Sequence, residues 1–181
     1  SPPPVPTKVL HIITRMILGG AQENTLLSVL GQQETETVRL LAGPTTGPEG
    51  SLVEDARASG VDLVELPSLL RAVSPPADWR AYRDLRNAIR AYKPDAVHTH
   101  SSKAGVLGRA AAWAERVPCV VHTIHGLPFH PYQNALVRRL YIAAERFAAR
   151  RCHRLISVAD AMTDQAVAAG VASRQRFLRS E

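Results

Sequence analysis

Five histidines fall at the ends of two neighbouring apolar runs. "HTHSSKAGVLGRAAA", starting at His98, closes an apolar run with two imidazoles and turns into an Ala-rich segment; "CVVHTIHGLPFH" repeats the pattern with His122, His125 and His130. Imidazole is the side chain that can donate, accept or carry a proton near neutral pH, and it is also the commonest metal ligand. A His-x-His pair such as His98 and His100 could hold zinc if the next strand supplied a third ligand. No Asp or Glu stands near either run's end to complete a hydrolytic site or to orient the rings. A metal-dependent hydrolase using His98 and His100 is therefore an alternative, and the expectation is that no metal is bound. His122 sits inside its apolar run and reads as a core histidine. His125, just before Gly126, is the ring free to reach a substrate.

Two further segments carry chemistry. In "RMILGGAQEN" the pair Gly19–Gly20 follows a strand-like run and opens a helix-like one. Such a turn lets backbone N–H groups approach an anion closely. It is not the G-x-G-x-x-G fingerprint, and no ribose-binding acid follows at that fingerprint's spacing, so a dinucleotide site is disfavoured; a plain tight turn would use the same glycines. "NALVRRLYIAAERFAARRCHR" places Leu136, Leu140, Ala144 and Phe147 on one helical stripe, with Arg139, Arg146 and Arg150 beside it. A basic stripe next to an apolar one suits an anionic lipid surface, although solvated helix surface looks the same.

The elements that must position these residues alternate regularly. Strand-like runs are expected near 8–14, 37–43, 61–67, 95–100, 119–124 and 154–158. Helical patterns lie at 19–33, 50–60 and 78–93, then from Lys103, from about Tyr132 to Cys152, and at 160–170. Trp79, Tyr82, Leu85, Ile89 and Tyr92 form one stripe of the third helix. Pro94 and Pro118 mark helix-to-strand junctions, Gly60 and Gly170 mark helix ends, and 68–77 is the longest stretch without a period. Strands apolar on both faces and alternating with helices predict an α/β fold: a three-layer Rossmann-like domain with a parallel, doubly wound sheet. Ligands of such sheets lie beyond the carboxyl ends of the strands. Both histidine groups fall there.

Composition narrows the partners. The 181 residues make one domain of ordinary size, and 45% apolar content argues against disorder. A net charge of +6 favours phosphorylated substrates, anionic lipid or nucleic acid. No Lys/Arg run exceeds two residues, which makes nucleic acid the weakest of these. The two cysteines, Cys119 and Cys152, have neither a disulfide framework's nor a metal site's spacing and read as buried thiols in a reducing compartment. No run approaches a membrane span, and "SPPPVPT" (1–7) is a Pro-rich leader without an apolar signal region, so a cytoplasmic protein is expected.

"GGAQ" after the first strand, "HTHSSKAGVLGR" after the fourth, "TIHG" after the fifth and "LISVA" as the sixth together resemble the N-terminal, acceptor-side domain of a family 4 glycosyltransferase of the GT-B type, over about Lys8 to Ala172. That resemblance implies a retaining, nucleotide-sugar-dependent transferase of two Rossmann-like domains, with no metal and no cofactor beyond the donor. It implies that Gly19 and Gly20 approach the donor phosphates and that His125 lies beside the transferred sugar. It further implies that His100, Ser101 and Lys103 face a saccharide or lipid-linked acceptor. The family's C-terminal donor domain is absent, so 8–181 is expected to be one domain of a longer enzyme, inactive alone and peripheral to the inner face of the membrane. A non-hydrolysing sugar-nucleotide epimerase, which shares the architecture, is the nearest alternative; a non-catalytic module for a phosphorylated ligand is another.

Overall fold

The structure, a computed structural model, describes residues 8–15, 29–33, 36–44, 53–100, 102–125, 127 and 132–179. Seven strands form one sheet: β1 (Lys8–Arg15), β2 (Thr37–Gly43), β3 (Asp62–Glu65), β4 (Ala96–His100), β5 (Cys119–Ile124), β6 (Arg154–Ser157) and β7 (Phe177–Arg179). Their order is β3-β2-β1-β4-β5-β6-β7, and every pairing is parallel. The expected fold class is therefore the observed one. β7 was not expected from the sequence, and β3 is shorter than the 61–67 run suggested. The strand order reverses between β1 and β4, which is where a crevice opens in doubly wound sheets.

Helices cover both faces: the turn at 29–32 (α1), α2 (Val53–Ala58), α3 (Pro75–Tyr92), α4 (Ser102–Ala114), α5 (Ala135–Ala149) and α6 (Asp160–Ala168). On one face Leu10, Ile12, Leu41, Val97, Val120 and Leu155 pack with Leu85, Ile89, Ala111, Ala112 and Ile142. On the other, Val9, Ile13, Val38, Leu40, Ala42 and Ala96 pack with Val29, Val53 and Ala56. Full burial of the Leu, Ile and Val side chains stabilises by about 1.5–3 kcal/mol each, which offsets the entropy lost in ordering the strands.

The helix ends follow local chemistry. Pro75 opens α3, while the Ser74 N–H donates to Asp78 Oδ2 at 3.2 Å. Lys93 ends α3 in the left-handed region (φ 54°), and the following proline cannot continue the helix. Asn134 caps α5 by accepting from the Leu136 N–H at 2.9 Å. The small residues of α4 let it lie close to the sheet. A Cβ on Gly108 would stand 2.8 Å from Thr99 Cγ2 and 3.2 Å from Ile12 Cδ1.

Candidate functional site

Side-chain alternation along adjacent strands brings the histidines together. His98 and His100 lie on the same face of β4. β1 pairs with β4 so that His11 is opposite His98, and β5 pairs so that Thr123 is opposite His100. Four rings result in close succession: His98 stacks on His100 with centroids 4.2 Å apart, His11 lies 5.0 and 5.2 Å from them, and His125 is 5.5 Å from His100.

Hydrogen bonds order these rings. Gln32 Oε1, on α1, lies 2.6 Å from His11 Nε2; His11 Nδ1 lies 2.9 Å from His100 Nε2; His100 Nδ1 lies 3.2 Å from His125 Nε2. His98 Nε2 bonds the Thr123 hydroxyl at 2.5 Å. Burial holds the rings neutral. It lowers His11 to about 4, against a small opposing effect of the Gln32 hydrogen bond. It also pushes His98 and His100 well below the usual imidazole range, and the neighbouring rings add to the shift. His125 is lowered by burial alone and is only half-buried. Of the four, this ring combines partial exposure with a place beyond a strand's carboxyl end.

His122 faces the other way. It is buried, accepts or donates a hydrogen bond at 2.8 Å with Thr99 Oγ1, and is held well below its usual pKa by burial and then by the Arg109 charge. This is the core histidine expected from its apolar run. Beneath it Arg109 donates to Gly105 O at 2.7 Å and to Glu145 Oε2 at 3.1 Å, a buried ion pair between α4 and α5.

The remaining expected residues are placed as follows. Lys103 turns to α3, donating to Asp78 Oδ1 at 2.6 Å and to the Ala72 carbonyl, so its ammonium ties down the segment before α3. Gly19, Gly20, Ser101, His130 and the 1–7 leader lie outside the described residues. On α5, Leu136, Leu140 and Phe147 are exposed at 66%, 61% and 45%, whereas Ile142, Glu145, Ala148 and Ala149 are buried. Arg139 and Arg150 are exposed beside that stripe. Arg146 instead donates to the Ala169 and Gly170 carbonyls. No helix among the described residues is long and apolar enough to cross a membrane. Both cysteines are free; Cys152 is buried and Cys119 half-buried.

Two partners escaped the sequence reading. His11 is a single polar residue within "KVLHIIT", visible only once β1 is set beside β4 in the sheet order. Gln32 carried no signal of its own, because an amide at a helix end is ordinary.

A metal could be considered at His11, His98 and His100, whose candidate nitrogens all lie within 4.8 Å of one another. Both nitrogens of His11 and both of His100 are already in hydrogen bonds, however. A metal there would have to replace that order, and no carboxylate joins the set.

Residues 19–179 match the family described as "Glycosyl transferase 4-like domain". Over 150 residues the chain is 35% identical to the Escherichia coli UDP-Gal:alpha-D-GlcNAc-diphosphoundecaprenol alpha-1,3-galactosyltransferase, covering 82% of this chain and 38% of that protein. The chain thus spans well under half the length of that curated relative. Among solved structures, a glycosyltransferase from Rickettsia africae superposes with a TM-score of 0.68 at 13% identity, covering 97% of this chain and 43% of that one. MurG of Acinetobacter baumannii gives 0.59 at 16% identity, covering 84% and 41%. The UDP-GlcNAc 2-epimerase of Neisseria meningitidis gives 0.66 at 12%, covering 95% and 46%. These likenesses establish the Rossmann-like half of a GT-B architecture as the fold. With a family match over residues 19–179, the chain belongs to the glycosyl transferase 4-like family.

Proposed function

We propose that the chain is the acceptor-side domain of a transferase that moves a hexosyl group, with retention, from a nucleotide sugar to a saccharide or lipid-linked acceptor. The observation that carries this reading is the family match together with a row of neutral histidines that crosses the strand-order reversal from β1 to β4 and ends in half-exposed His125 after β5. The E. coli relative's name adds a UDP-hexose donor and a diphosphoundecaprenol-linked acceptor to the candidates. In this reading His125 touches the transferred sugar, the backbone of Gly19 and Gly20 approaches the donor phosphates, and His100, Ser101 and Lys103 border the acceptor. Lys103 would reach an acceptor phosphate only by leaving Asp78. The nucleotide sugar is a substrate, and no resident metal is called for. The hydrogen bonds that occupy both nitrogens of His11 and His100 support this.

The exposed stripe of α5 supports a further part of the reading, a peripheral contact with anionic membrane at the cytoplasmic side. Leu136, Leu140 and Phe147 would enter the interface, with Arg139 and Arg150 at the headgroups.

The test is an assay of the enzyme containing this domain together with a donor domain. Transfer of hexose from a UDP-sugar to a diphosphoundecaprenol-linked saccharide, undiminished by EDTA, is the expected result. The 181-residue chain alone should show no transfer. Epimerised UDP-sugar with no transfer product would instead favour the epimerase, and transfer by the isolated chain would refute the two-domain requirement.

A further inference from the structure

The four-membered row Gln32, His11, His100 and His125 has a direction as well as a path. An amide oxygen can only accept a hydrogen bond. With Gln32 Oε1 at 2.6 Å from His11 Nε2, the proton of His11 must be on Nε2. A neutral imidazole carries one proton, so His11 Nδ1 is then a bare acceptor and receives the Nε2–H of His100 at 2.9 Å. The same constraint leaves His100 Nδ1 bare, and it receives the Nε2–H of His125 at 3.2 Å. One proton per ring is thereby assigned across three adjacent strands. The last member has a single nitrogen left, Nδ1, without a proton and without a partner among the described residues.

We propose that Gln32, through His11 and His100, fixes His125 in its Nε2–H tautomer and so makes His125 Nδ1 an acceptor for a sugar hydroxyl. This rests on the reading of His125 as the sugar-contacting residue. It also gives that contact a direction: the ring accepts from the sugar hydroxyl. Gln32, His11 and His100 are positioning residues with respect to the transferred sugar, which in this scheme only His125 touches. The arrangement has physical advantages that isolated rings would lack. Successive hydrogen bonds in a low-dielectric interior polarise one another in the same sense, which strengthens the final acceptor. Burial keeps His11 and His100 from taking a second proton, which would break the one-proton rule. His98, stacked on His100 and bonded to Thr123, holds the middle ring in plane. In a sugar site, a fixed acceptor discriminates between hydroxyl epimers, because an O–H aimed elsewhere leaves the Nδ1 that the bound sugar covers unsatisfied.

Nitrogen-15 NMR of histidine-labelled full-length enzyme near pH 7.5 reads the tautomers directly, through the coupling of each ring nitrogen to the ring protons. His11, His100 and His125 should all be neutral with the proton on Nε2. A proton on Nδ1 of any of the three, or an imidazolium, would overturn the proposal. The Gln32→Met variant removes the oxygen that starts the order. It should shift His125 to a mixture of tautomers and lower kcat about tenfold, with KM for the donor changed less than twofold. An unchanged His125 tautomer in that variant would also overturn the proposal; should Gln32→Met fail to fold, the tautomers of the unmodified enzyme decide. The underlying reading is tested separately. Normal turnover of His125→Ala would overturn the sugar contact even where the tautomers are as stated.

Discussion

At the scale of single residues, the site is a problem in keeping imidazoles neutral. His11, His98, His100 and His122 are all buried enough to resist protonation, and the largest cause in each case is loss of hydration. The consequence for stability has a definite sign. Each ring's folded pKa lies below its unfolded value of 6.5, so the unfolded chain binds protons first as pH falls. Stability is therefore full above about pH 6.5 and is lost progressively below it, for His11 until about pH 4. His11 alone should contribute a loss of about 2 kcal/mol by pH 5. Denaturant melts at pH 7.5 and 5 should show that loss or more, because three further rings act in the same sense. A flat profile across this range would mean that the rings are solvated. Sequence reading reached His98, His100, His122 and His125 because each lies in or beside a recognisable strand end. It did not reach His11 or Gln32, whose roles arise only from register between strands distant in the chain.

At the scale of elements, α4 and α5 show where pattern reading succeeds and where it stops. The Gly and Ala content of α4 was legible as a helix, but its function is close approach. A Cβ on Gly105 would lie 2.4 Å from His122 Cε1 and 2.9 Å from its Nδ1, within a ring that Thr99 also holds. Gly105→Ala should therefore destabilise by about 1–3 kcal/mol, despite its better helix propensity. A stabilised Gly105→Ala variant in thermal melts would show that His122 can move aside freely. For α5 the periodicity was legible but its orientation was not. The Leu136–Leu140–Phe147 stripe is turned to solvent, while Ala148, Ala149 and the Glu145 partner of Arg109 are turned inward. A buried ion pair and small residues carry little hydropathy, so the inward side of α5 gave no signal of its own in the sequence. Vesicle co-sedimentation checks the outward stripe. Anionic vesicles should bind the chain at low salt and release it at high salt, and Leu140→Asp should abolish binding. Equal binding by Leu140→Asp would leave the stripe as plain solvated surface.

At the scale of the whole molecule, the doubly wound sheet was legible because six strand–helix units alternate with Pro and Gly at their junctions. The seventh strand, Phe177–Arg179, is three residues long and pairs with β6 at the sheet's edge, too short to carry a periodic signal. The sheet order does the functional placing. It sets β1, β4 and β5 side by side, so histidines far apart in the chain become one row that crosses the reversal and ends at His125, beyond the carboxyl end of β5. On the proposed function, this row serves the half-exposed ring at its end, and His125 acts on the transferred sugar once a donor domain is present. Its most direct test is the turnover number of His125→Ala, measured at saturating donor in the enzyme containing both domains. Loss of a hydrogen bond that strengthens in the transition state should lower kcat about 10²–10³-fold, with the thermal midpoint and donor KM nearly unchanged. A His125→Ala enzyme that folds and turns over at the normal rate would contradict the account.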